Sequence, residues 1–124
     1  MDQLEIFILA NYACKQGDRF KGNIFNFPEQ SKSLSALVKN LPVNAKILEI
    51  GFNAGHSSTL FLDSHPTVNV TSFDLGVGQC VNIGKKYIDM VYPDRHKLIL
   101  GDSNKTIPLF TSSDKYDLIF TRRN

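Results

Sequence analysis

Apolar residues recur at two different periods along the chain. Leu4, Phe7, Ile8 and Tyr12 fall at helical spacing, with Ala10 and Ala13 among them and Gly17 placed to stop the helix. Residues 20–27 mix aromatics with two asparagines and Gly22, which reads as a loop. Pro28 suits the first turn of a second helix, with Asn26 as cap and Glu29 near its positive end. Leu34, Leu37, Val38 and Leu41 form the apolar stripe of that helix, and Pro42 closes it. From there strands alternate with helices. Strands are expected at 46–50 (KILEI), 68–75 (VNVTSFDL), 97–100 (KLIL) and 116–121 (YDLIFT). Helices are expected from 55 to about 64, over 79–92 with Val81, Tyr87, Ile88 and Val91 turned inward, and over a short 104–110 interrupted by Pro108. Leu118, Ile119 and Phe120 read as core, because a central parallel strand is buried on both faces.

Alternation of this kind predicts an α/β domain with a parallel sheet and crossover helices on its faces. Such sheets bind ligands beyond the carboxyl ends of the strands, near the point where strand order reverses. The glycines and short polar residues cluster at those ends: Gly51 to Gly55, Asp74, and Gly101 to Ser103.

Length and composition narrow the class further. At 124 residues there is one domain, since a second core would leave both halves marginal. A composition 42% hydrophobic and 21% charged is that of a folded globular chain and excludes a disordered tail. A net charge of +2 is too slight to indicate nucleic acid, and Arg122-Arg123 make no patch. No apolar run approaches the roughly 18 residues of a bilayer span, and the amino end lacks the basic region of a signal peptide. Cys14 and Cys80 have no CxxC spacing, so they read as free thiols, and with the missing signal they imply a cytoplasmic protein. His56, His65 and His96 are scattered, and no metal site is expected from them.

Residues 47–58, ILEIGFNAGHSS, carry the most chemistry. Glu49 and Gly51 end a strand, and Gly55 opens a helix whose N–H groups and dipole favour a carboxylate or phosphate. A glycine at the turn admits close approach of a ligand to the backbone. The dinucleotide fingerprint is incomplete, because Asn53 stands where a glycine is wanted, so a nicotinamide oxidoreductase is disfavoured. Asp74 ends the second strand, where a carboxylate can accept both hydroxyls of a ribose. A solvated strand-end aspartate is the plain alternative, and the residues alone leave both open. Asp102, after the third strand, can take a donor such as an exocyclic amine.

In this order and spacing, ILEIGFNAGHSS, VTSFDLG, LILGDS and YDLIF resemble the first four strand motifs of class I S-adenosylmethionine-dependent methyltransferases. Within that superfamily EIGFNAGHSS is most similar to the O-methyltransferase-like group related to catechol and caffeoyl-CoA methyltransferases. The resemblance covers roughly residues 28–121 and implies a Rossmann-like sheet of order 3-2-1-4. Residues 1–42 would be a helical N-terminal cap and 43–124 the cofactor-binding half. It implies S-adenosylmethionine as cofactor, without a divalent metal. Glu49, Gly51 and Gly55 would surround its methionine portion, with Phe52 and Asn53 shaping the loop and Ser57 offering a hydroxyl near the carboxylate. Asp74 would hold the ribose, Leu75 border the adenine, and Asp102 meet the adenine amine with Ser103 beside it. For Phe52 and Ser57 the alternatives are a loop hydrophobe and an ordinary first-turn residue.

One departure bears on activity. The group's fourth strand runs on as DLIFIDG, whereas here Arg122 holds the acidic place, and an arginine neither ligates a divalent cation nor serves as a base near neutral pH. The family's later strands have no counterpart in these residues, so a truncated domain is expected. Whether the shortening is natural, a reading-frame shift or a cut piece stays open. The fourth strand then becomes a sheet edge, and pairing there beside Leu118 and Phe120 with a second copy or another chain is expected. Two functions compete: methyl transfer to an unknown acceptor, O-directed, by this chain as cofactor-binding half, or a catalytically inactive module used for binding or assembly.

Overall fold

The computed structural model describes residues 28–52, 55–76, 79–102 and 115–121. The expected amino-terminal helix, the loop after it, the helix at 104–110, Asn53, Ser103, Arg122 and the thiols of Cys14 and Cys80 lie outside the described residues. The described elements run α1 (Pro28–Lys39), β1 (Lys46–Ile50), α2 (His56–Ser64), β2 (Asn69–Asp74), α3 (Gln79–Val91), β3 (His96–Leu100) and β4 (Leu118–Thr121). The four strands form one parallel sheet in the order β3-β2-β1-β4. Strand order reverses between β1 and β4, which makes the carboxyl end of β1 the natural place for a ligand.

Register decides which residues share a face. Ile47 and Glu49 lie opposite Val70 and Ser72, and these in turn lie opposite His96 and Leu98. That face packs on α2 and α3: Ile47, Val70, Phe61, Leu62, Val81 and Ile88 belong to one buried cluster. Val38 of α1 is buried in the same cluster, with Leu34 and Leu41 beside it. Leu37, expected in the stripe of α1, is 49% exposed, because the helix turns only a narrow arc toward the core.

Several element ends shift by a residue or two from the sequence pattern, and three of the shifts have a local reason. β2 stops at Asp74 because its Oδ1 accepts the Gly76 amide at 2.9 Å and turns the chain before Leu75 continues the strand. β3 starts one residue early, at His96, which the apolar pattern passes over although it pairs with Val70. β4 starts at Leu118 because Asp117 bonds Lys46 both ways, its amide donating to Lys46 O at 2.8 Å and its Oδ2 accepting Lys46 N at 2.9 Å. Ile119 corrects the expectation of a strand buried on both faces. It is 62% exposed, since α2 and α3 cover only the other face, where Leu118 and Phe120 are half-buried. No described helix is long and apolar enough to cross a membrane.

Candidate functional site

Parallel pairing brings three strand ends to one edge. The ladder runs one step past the strands: the Gly51 amide donates to Phe73 O and the Gly101 amide to Asp74 O, each at 2.8 Å. Gly51, Asp74 and Asp102 therefore stand in a row across β1, β2 and β3. Asp74 is half-buried and Asp102 exposed, while Leu75 stands out from the edge at 65% exposure.

The turn leading into α2 is held from below. Gly55 sits in the left-handed region at φ 86°, as does Gly51 at φ 97°. A Cβ on Gly55 would lie 2.9 Å from Phe52 Cζ and 3.0 Å from Ile88 Cδ1, so both the backbone conformation and the space demand glycine. The Gly55 amide donates to Phe52 O at 3.0 Å, and its carbonyl accepts both the amide and the hydroxyl of Thr59. Gly55 caps α2 with no side-chain hydrogen bond, and α2 begins at His56, shortly after the ladder position of Gly51. Phe52 is buried against His96, ring centroids 5.0 Å apart, and so supports the turn from the core side. Ser57 is also buried, in the first turn of α2.

Glu49 lies underneath this turn. It is fully buried, and its Oε1 accepts the Ser58 hydroxyl at 2.6 Å and the Ser72 hydroxyl at 2.8 Å. Ser72 also meets His96 Nε2 at 2.9 Å, and Lys85 Nζ meets His96 Nδ1 at 3.0 Å. Burial, and after it the nearby Lys85 ammonium, push the His96 imidazolium down to a pKa of about 3, so the ring is neutral. The sequence reading missed Ser58, Ser72 and His96. A signal existed for two of them: Ser72 and His96 occupy inward positions of strands whose other inward residues are apolar, and a polar group there needs a partner.

Among the described residues no three His, Cys, Asp or Glu side chains are grouped to hold a metal ion. No family model and no curated protein matches the sequence. Solved structures do. The O-methyltransferase from Bacillus cereus in complex with S-adenosylhomocysteine is similar at TM-score 0.76 and 21% identity, covering 98% of this chain and 55% of that one. TomG from Streptomyces achromogenes, an O-methyltransferase involved in tomaymycin synthesis and solved with S-adenosylmethionine, gives 0.71 and 18%, covering 97% and 54%. The Podospora anserina methyltransferase PaMTH1, bound to S-adenosylhomocysteine, gives 0.67 and 17%, covering 98% and 50%. The fold is that of the class I methyltransferases. At these identities the likeness is one of fold, and the chain spans about half the length of the structures it matches. In this methyltransferase fold the row Gly51, Asp74, Asp102 lies at the carboxyl edge next to the β1–β4 reversal.

Proposed function

We propose that this chain is the S-adenosylmethionine-binding half of a methyltransferase acting on an oxygen acceptor. The observation that carries the reading is the row of strand ends, with a glycine turn and helix N-terminus at β1, an aspartate at β2 and an exposed aspartate at β3. These donor and acceptor types fit the cofactor part by part. First-turn amides of α2 suit its carboxylate. Asp74 suits the paired ribose hydroxyls, the exposed Leu75 offers an apolar edge to the adenine, and Asp102 accepts from the adenine amine. Gly51, lacking a Cβ, leaves the backbone open to the methionine portion.

When bound, S-adenosylmethionine supplies a methyl group on a sulfonium, a leaving group that needs no metal to depart. The chain's own contribution is then to hold and orient, which is the main source of rate in an in-line displacement. Calorimetric titration with S-adenosylhomocysteine tests this directly. Saturable binding is expected, and Asp74→Ala should weaken it more than about ten-fold by removing a charged hydrogen-bond acceptor. Absence of binding at millimolar ligand would exclude the reading.

A second reading has its own support in β4. Among the described residues it has a neighbour, β1, on one side only, and Ile119 is exposed on it. In this reading the domain is an assembly module, and a second copy or another chain pairs along β4 beside Leu118 and Phe120.

A further inference from the structure

Counting protons from Lys85 to Ser72 gives one direction of donation, and beyond it the Ser58 and Ser72 hydroxyls, 3.0 Å from each other, share an acceptor on the buried Glu49. The Lys85 ammonium has three protons and no acceptor. It meets three acceptors: Asp89 Oδ1 at 2.8 Å, His96 O at 2.9 Å and His96 Nδ1 at 3.0 Å. Nδ1 must therefore accept, which puts the ring proton of neutral His96 on Nε2. That proton points at Ser72 Oγ, 2.9 Å away. Ser72 then has its own hydroxyl proton free for Glu49 Oε1 at 2.8 Å, and the Ser58 hydroxyl donates to the same oxygen at 2.6 Å. From Lys85 through the His96 ring and Ser72 each donor points inward, to the buried Glu49 beneath the Gly51–Gly55 turn.

We infer that Lys85, His96 and Ser72 are positioning residues, a one-way hydrogen-bond relay that fixes the Glu49 carboxyl group under the turn and so sets the affinity of the site for the cofactor. The inference rests on the cofactor reading above. None of the three residues lies in the row of strand ends, and Lys85 reaches the relay from the flank of α3 that faces β3. Fixing Glu49 in one orientation fixes Ser58 and Ser72 with it, and hence the spacing between the first turn of α2 and β2. Between those elements lies the path from the glycine turn to Asp74.

The test uses the full chain with Lys85→Met, Lys85→Arg and Ser72→Ala. Lys85 is partly exposed, so its variants leave the core packing intact. Ring-nitrogen NMR reads the tautomer, and calorimetry with S-adenosylhomocysteine reads the affinity. The unaltered protein is expected to show His96 protonated on Nε2. Lys85→Met should release the tautomer to a mixture and weaken binding about five-fold, as loss of one net hydrogen bond does, with Lys85→Arg restoring both. Ser72→Ala should weaken binding by a similar factor. A ring protonated on Nδ1 in the unaltered protein would overturn the relay. So would the expected tautomer with equal binding by all variants, since the chain would then position nothing. Failure of the unaltered protein to bind is a distinct result: it overturns the cofactor reading, and the role in affinity falls with it.

Discussion

His96 shows how much one position carries that its residue type does not announce. In an apolar strand it reads as an interruption. In the fold it pairs with Val70, stacks near Phe52 and joins Lys85 to Ser72. Its pKa is pushed from 6.5 to about 3, by burial first and Lys85 second. The folded protein thus keeps the ring neutral where the unfolded chain takes up a proton. Between about pH 6.5 and pH 3 the unfolded state holds the extra proton, so stability falls on acidification, by up to about 1.4 kcal/mol per pH unit from this group. Above that window the full contribution is present and the slope vanishes. His96→Phe is expected to flatten the dependence between about pH 6.5 and pH 4, which urea unfolding at a series of pH values measures. Glu49, by contrast, was legible as important from its place before Gly51. Its setting was not, because whether a strand-end carboxyl looks out or in depends on the pleat and on the hydroxyls of Ser58 and Ser72.

Helix α2 joins the turn to the sheet at the scale of elements. Its first turn borders the strand ends, and its Phe61 packs edge-on against Phe120 of β4, centroids 5.3 Å apart at 80°. Its far end is clamped by Arg95, whose guanidinium donates to Leu62 O, His65 O and Val68 O. One side chain thus gives three backbone carbonyls at the end of α2 and before β2 a donor. Phe61→Ala should cost about 3–5 kcal/mol, the usual range for emptying a buried aromatic site. It should also loosen β4 more than β3, which amide hydrogen exchange would show as faster exchange at 118–121 than at 96–100. The apolar periods at 46–50, 55–64 and 79–92 found these elements because their spacing is local. They missed the ends, where Asp74 and Asp117 take backbone amides with their side chains.

For the whole molecule, the sheet has one face under α2 and α3 and the other carrying the exposed Ile119. If β4 is a docking edge, Ile119→Lys should reduce self-association, measured by light scattering over a range of concentrations; unchanged mass would leave the edge without that role. The sequence by itself determined the α/β alternation, the parallel order of strands through its resemblance, and the three strand ends that carry Gly51, Asp74 and Asp102. All of these depend on residue type and short spacing, which hydrophobic burial and backbone geometry translate directly into structure. Only the tertiary structure decided that Ile119 is exposed, that Phe52 supports the turn from within, and that Lys85, His96 and Ser72 converge on Glu49. Those facts need strands 23 and 24 residues apart in sequence, and a helix from between them, brought to one face in a single register. No local pattern encodes that juxtaposition.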